Sequence, residues 1–211
     1  MSDQAYWEGV YSRNAETSLS WFQNSPDNSL ALITKHSALV NKHVLDVGAG
    51  TSRLIDKLLH AGVSSVSILD LSEVALKTAY SRIPPDNVDK VSLLHGNVLN
   101  YDLQPASIDI WHDRAVFHFL TEHQQRQSYL EQLARVLAPN GLFVISTFAH
   151  DGPERCSGLP VCRYSIEELK TIFGEEFSLL ESIEERHLTP TGRAQSFIYG
   201  CFKYTPAVIN K

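Results

Sequence analysis

Three polar residues stand at matching points of the chain, each where an apolar run stops. Asp46 ends "HVLD" just ahead of Val47-Gly48-Ala49-Gly50-Thr51; Asp70 ends "VSILD" 24 residues later, ahead of Leu71; and Asn97 follows "SLLHG", ahead of Val98. Two carboxylates and a carboxamide make a hydrogen-bonding set suited to a nucleoside. An acid accepts both hydroxyls of an unphosphorylated ribose, an amide bonds the edge of a purine, and a valine covers its face. Asp46 beside the glycines repels a pyrophosphate but attracts an ammonium or sulfonium group. A dinucleotide site wants G-x-G-x-x-G, and here the third glycine position holds Arg53; no Gly-Lys-Ser/Thr follows, so a phosphate-cradling loop is excluded as well. Taken singly, Asp46 also fits a turn acid and Asp70 a helix cap. Polar residues at three successive strand ends are harder to obtain from capping alone.

These residues need a parallel sheet to bring their strand ends to one edge, and the sequence around them alternates accordingly. "HVLDVG", "VSILDL", "KVSLLHGN", "SIDIWHD" and "LFVISTF" read as strands. Between them, "SRLIDKLLHAG" puts Leu54, Ile55, Leu58 and Leu59 on one helix face, and Gly62 closes it. "SEVALKTAYSRI" is a helix opened by Ser72, and "EHQQRQSYLEQLARVL" is a longer one with Tyr129, Leu130, Leu133, Val136 and Leu137 on its apolar side. Pro139, Asn140 and Gly141 are read as a turn. Continuous apolar strands alternating with helices predict a doubly wound, mostly parallel α/β sheet covered on both faces. After a helix opened by the Ser165–Glu168 capping box, "FSLLESIEERHL" and "QSFIYGCFKY", joined by "TPTGRA", predict an antiparallel pair at one sheet edge. Ahead of the sheet, Trp7, Val10 and Tyr11 share one face of a short helix, and a second helix lies around "LALITKHSALV".

Asp46-Val47-Gly48-Ala49-Gly50, Asp70 and Gly96-Asn97-Val98 together resemble the three signature segments of class I S-adenosylmethionine-dependent methyltransferases, over roughly residues 40–204. The resemblance implies a seven-stranded Rossmann-like sheet of order 3-2-1-4-5-7-6 with the last strand antiparallel, and S-adenosylmethionine as methyl donor. It implies donor contacts from Asp46, Gly48, Ala49, Gly50, Thr51, Asp70, Leu71, Asn97, Val98, Asp113, Arg114 and Trp21. Residues 1–38 are expected to form a helical lid and residues 39–211 the methyltransferase domain. Asn97 stands where many members carry Asp; either accepts from an adenine amino group. The "YW…Y" opening and "DVGAGTS" are also similar to methyltransferases that modify lysines in elongation factor and citrate synthase. Those carry Asp-Lys-Gly after the fourth strand, where this chain has Asp113-Arg114-Ala115.

Methyl transfer from a sulfonium is an in-line displacement by a donor that is already activated, so the protein's work is mainly alignment and exclusion of water. A base is needed only where the acceptor must lose a proton. The wall expected to serve the chemistry follows the fourth strand: His112, Asp113 and Arg114, then Phe117, His118 and Phe119. His118 is a candidate proton acceptor or a structural histidine among phenylalanines, and Asp113–Arg114 is either a donor contact or an ion pair. The loop after the fifth strand, "AHDGPERCSGLPVCRYS", offers His150, Arg155 and Arg163 to an anionic acceptor, and Tyr11 and Trp21 line the N-terminal lid. Cys156, Cys162 and Cys201 read as small fillers, with a thiol site for a soft metalloid as the sharper alternative; no metal is expected.

The 211 residues carry 18 basic and 24 acidic side chains, a formal net charge of -6, with no basic run. That argues against a surface that tracks nucleic acid. The Asp/Asn-Pro-Pro-aromatic tetrad of base-methylating enzymes is replaced by "HDRA", and no Pro-Cys nucleophile is present. No run is apolar and long enough to span a bilayer, and no signal pattern opens the chain, so a cytoplasmic protein is expected. The expected acceptor is a small molecule, with a protein lysine as the alternative within the enzyme class. A non-catalytic subunit that binds the donor is the reading from outside it.

Overall fold

The computed structural model describes residues 3–207; the outermost residues of the two expected segments lie outside the described range. Seven strands form one sheet: β1 (His43–Val47), β2 (Ser65–Asp70), β3 (Val91–His95), β4 (Ile108–Arg114), β5 (Leu137–Phe148), β8 (Phe177–Leu188) and β9 (Ala194–Tyr204). Their spatial order is β3-β2-β1-β4-β5-β9-β8. This is the expected order once a two-stranded hairpin, β6 (Arg155–Cys156) and β7 (Leu159–Pro160), is counted within the loop after β5. The first five strands pair in parallel, and β9 runs antiparallel to both β5 and β8.

The helices are α1 (Asp3–Arg13), α2 (Asp27–His36), α3 (Leu54–His60), α4 (Glu73–Tyr80), α5 (His123–Val136) and α6 (Ile166–Phe173). Side chains alternate across each strand, so the sheet has two separate cores. Val44, Ile68, Ile110 and Val144 pack with Leu32, Ile33, Leu54, Leu58 and Leu76 of α2, α3 and α4. Leu45, Val47, Trp111 and Phe143 pack on the other face with Tyr129, Leu133, Leu169 and Phe173 of α5 and α6.

Local signals behave as their chemistry requires. Ser72 accepts the Ala75 amide and opens α4, and Ser165 and Glu168 make the reciprocal capping box of α6. Two readings are corrected. The second helix begins at Asp27 and ends at His36, before the segment "SALV". Pro139-Asn140-Gly141 does not precede the fifth strand but lies inside it as an irregularity, with Asn140 at φ +64° and the β4 partner stepping from Leu137 to Leu142.

Candidate functional site

The strand ends meet as expected at one edge of the sheet, beside a cavity of about 440 Å³. Its floor is Val47, Gly48, Leu69, Asp70, Leu71, Gly96, Asn97 and Val98. Gly48 sits at φ +59° and Gly50 at φ +52°, a region that disfavours any side chain. A Cβ on Gly48 would run into Val116, and one on Gly50 into the Tyr11 hydroxyl. The glycines therefore allow α1 and the segment after β4 to approach the turn closely.

Asp70 accepts the Gly50 amide on one oxygen and the Ser72 amide on the other, both at 2.8 Å. Each oxygen keeps a second lone pair for a ligand. Burial pushes its carboxyl up to about 6, against the opposing pull of those two amides. Asn97 borders the cavity and accepts the Leu99 amide on its side-chain oxygen at 3.0 Å, keeping a second lone pair on that oxygen and both amino hydrogens for a ligand.

Parity along the strands decides where the other acids go. Asp46 and His112 are register partners across β1 and β4, so both face α2. There the His112 ring bonds Asp46 Oδ1 at 2.6 Å and Ser29 Oγ at 2.8 Å, all three residues being buried. Asp113, one residue on, faces α5. It accepts the Val116 amide at 2.9 Å, the Phe117 amide at 3.1 Å and the Tyr129 hydroxyl at 2.7 Å, and burial raises it to about 6. It therefore shapes the turn after β4 instead of pairing with Arg114. Arg114 donates to Tyr199 and to the Trp21 carbonyl, both at 3.0 Å, lies over the Phe197 ring and faces the cavity.

Of the residues expected to contact the donor, Gly48, Asp70, Leu71, Asn97, Val98, Arg114 and Trp21 border the large cavity. Asp46, Ala49 and Thr51 border a neighbouring space of about 50 Å³, and Gly50 is covered by Tyr11. Of the residues expected to be catalytic, none reaches the large cavity. His112 and Asp113 are held as described. His118 is fully buried between Phe119 and Phe148, neither ring nitrogen has a partner, and burial lowers its pKa to about 3. This is the structural histidine among phenylalanines. Of the residues expected to bind an acceptor, Tyr11 lines the cavity but Phe117 is core. His150 pairs with Glu168, Arg155 bonds the Gly158 carbonyl, and Arg163 bonds the carbonyls of His150 and Gly152, all away from the cavity.

Tyr11, Trp21 and Phe119 border the cavity as expected; what the sequence reading missed is that Trp7 joins them in one far wall. Trp7, Tyr11, Trp21 and Phe119 stand edge-to-face or tilted, with centroid separations of 5.2 Å (Trp7–Phe119), 5.9 Å (Trp7–Trp21) and 6.2 Å (Tyr11–Trp21). Cys156, Leu159 and Pro160 of the β6–β7 hairpin complete it, and Asp3 and Glu122 also line the cavity. The face shared by Trp7 and Tyr11 was visible as helical spacing; its meeting with Phe119, more than a hundred residues away, was not. The thiols do not gather: among the described residues there is no group of three or more His, Cys, Asp or Glu set to hold a metal ion, and burial raises Cys156 and Cys201 to about 12.

Residues 44–141 match a family profile described as a methyltransferase domain. The chain is 25% identical over 207 residues to the human EEF1A lysine methyltransferase 2, covering 92% of this chain and 82% of the relative. Its methyltransferase domain and its fold are those of class I S-adenosylmethionine-dependent methyltransferases. Among solved structures it is similar to the N-methyltransferase NodS from Bradyrhizobium japonicum WM9 in complex with S-adenosylhomocysteine, with a TM-score of 0.73 at 15% identity, covering 95% of this chain and 99% of that one. A structure from work on the conversion of a disulfide bond into a thioacetal group during echinomycin biosynthesis superposes with a TM-score of 0.76 at 20% identity, covering 97% and 93%.

S-adenosylmethionine is the cofactor of this methyltransferase, and the residues present suit it. The Asp70 carboxylate has lone pairs to spare for ribose hydroxyls, Asn97 and Val98 offer an amide and an apolar face for adenine, and Arg114 on the cavity has a buried Nη2 that makes no hydrogen bond and lies 3.8 Å from Glu185 Oε2. When bound, it supplies an electrophilic methyl group. Among the described residues no helix is long and apolar enough to cross a membrane.

Proposed function

We propose that this methyltransferase transfers a methyl group to an amine, and that the amine is the side chain of a protein lysine. The observation that carries the reading is the wall of Trp7, Tyr11, Trp21 and Phe119 on the cavity. Aromatic faces attract an alkylammonium group and leave an alkyl chain in apolar contact. Asp3 and Glu122 on the same cavity add negative charge that favours a basic acceptor over an anionic one. The similarity to a human lysine methyltransferase over 92% of the chain supports the same acceptor class. An amine must be unprotonated to attack, and among the described residues the cavity carries the carboxylates of Asp3 and Glu122 to take up its proton, while Tyr11, whose phenol is held neutral by burial, orients the acceptor without accepting that proton.

A small-molecule amine is the second reading. It is favoured by the contact of the Tyr6 hydroxyl with the Ser157 carbonyl, which ties α1 to the β6–β7 hairpin across one side of the cavity. Incubating a cell lysate with the protein and tritiated S-adenosylmethionine, then separating by size, tests both readings. Label in protein that yields methyllysine on hydrolysis supports the first; label confined to the small-molecule fraction selects the second. Label in RNA overturns both.

A further inference from the structure

The helix α1 brings Asp3, Trp7 and Tyr11 to the cavity, yet its own apolar face is thin, with Val10 its one buried residue. Hydrophobic packing alone is a weak explanation for its position. What it does have is a carboxylate one residue from Trp7. Glu8 Oε2 accepts the Ser72 hydroxyl at 2.6 Å and lies 3.4 Å from the Val74 amide, at the N-terminus of α4. Unpaired amides and the helix dipole make that end a favourable place for a carboxylate. Ser72 is fully buried: its hydroxyl donates to Glu8 and accepts from the Ala75 amide, its own amide donates to Asp70 Oδ1 at 2.8 Å, and its carbonyl accepts the Leu76 amide. The second Asp70 oxygen holds the Gly50 amide, and Gly50 is covered by the Tyr11 hydroxyl from the same α1. The chain of contacts therefore closes on itself, running Glu8–Ser72–Asp70–Gly50–Tyr11 and back along α1.

We infer that Glu8 is a positioning residue: it latches α1 onto α4 through Ser72, and so couples the aromatic wall to the carboxylate that receives the donor ribose. Two other contacts of α1, Gln4 with His95 at 3.0 Å and Tyr6 with Ser157, fall on exposed or partly exposed side chains at either side of it. Glu8 is the contact that runs through Ser72 to the Asp70 carboxylate. With α1 latched, Trp7 and Tyr11 close over the cavity and slow the escape of whatever lies on Asp70. With it released, the floor of the cavity persists and the wall does not.

The test uses the full chain and S-adenosylhomocysteine as probe. In Glu8→Ala the dissociation rate of the probe rises about tenfold, as expected for loss of a bond made by a charged group. The tryptophan emission of the ligand-free protein shifts to the red as Trp7 gains water, while the melting temperature changes little, because both sheet cores are untouched. Glu8→Gln keeps an oxygen that accepts from Ser72 and restores most of the slow dissociation. A Glu8→Ala protein with unchanged dissociation and emission overturns the inference, as does a Glu8→Gln protein that behaves like Glu8→Ala. The inference rests on the cavity being the donor site, and Asp70→Ala separates the two. If Asp70→Ala binds the probe as tightly as the parent, the donor site is wrong; if it weakens binding while Glu8→Ala does not, only the latch is wrong.

Discussion

At the scale of single residues, burial sorts the acids and histidines into those that meet a ligand and those that hold the fold. Asp70 holds two backbone amides and also borders the cavity. If it receives the donor ribose as proposed, replacing it with alanine removes the acceptor of two hydroxyls as well as freeing the Gly50 and Ser72 amides. Donor affinity should fall by about 2 kcal/mol, roughly thirtyfold, in titration calorimetry. Its carboxyl titrates near 6 in the ligand-free protein, and the charged form is the better acceptor, so affinity should also decline as pH drops below about 6. A pH-independent affinity between 5 and 8 would remove Asp70 from the site. His118 gives the opposite kind of prediction. Its folded pKa of about 3 lies below the usual 6.5, so the unfolded chain binds the extra proton between those values. Stability is therefore fully present above about 6.5 and is lost as pH falls. His118→Phe should relieve that loss by about 1.4 kcal/mol per pH unit below 6.5, leaving methyl transfer intact. Urea melts at pH 5 and pH 7 measure the first part; a large loss of turnover at unchanged stability would return His118 to the chemistry.

At the scale of elements, the turn after β4 carries the local cost of the site. Ala115 lines the cavity at φ +69°, held by its amide bond to the Ser146 carbonyl at 2.9 Å and by the neighbouring amides that Asp113 accepts. A left-handed conformation is costly for any residue with a Cβ. Ala115→Gly should raise stability by about 1 kcal/mol in urea melts, since the relief of the strained conformation outweighs the added freedom of the unfolded chain. Asp113→Ala, in the same turn, should lower it by about 3 kcal/mol by leaving two amides and the Tyr129 hydroxyl without their acceptor. Unchanged stability in the second variant would mean that the turn is set by something other than Asp113.

At the scale of the whole molecule, the site is a seam between a sheet edge and an N-terminal segment, and ligand and fold stability are linked through it. The Glu16 carboxylate anchors the segment from the other side, bonding Arg53 at 2.7 Å and Arg82 at 3.0 Å. The Arg53 that breaks the dinucleotide glycine pattern is therefore a fastener of this segment. A ligand that engages both halves binds only the folded chain. S-adenosylhomocysteine at a hundred times its dissociation constant should stabilise the protein by about 2.7 kcal/mol and raise its melting temperature by roughly 5–10 °C. An equal shift with S-adenosylhomocysteine in Asp70→Ala would contradict the linkage.

The alternation of apolar runs and amphipathic helices determined a doubly wound, mostly parallel sheet and its antiparallel finish, because burial on two faces leaves few ways to arrange such a pattern; the strand order came only with the resemblance carried by the signature segments. The same pattern placed Asp70, Asn97 and the glycines at one edge, because residues at the ends of parallel strands have nowhere else to go. Tertiary structure alone decided between neighbours such as His112 and Asp113, because a strand turns successive side chains to opposite faces and the register with β1 sets which face is which. It also decided the aromatic wall of the cavity. Trp7, Trp21, Phe119 and Cys156 come from four separate segments, and only the docking of α1 on α4 and the folding back of the β6–β7 hairpin bring them together.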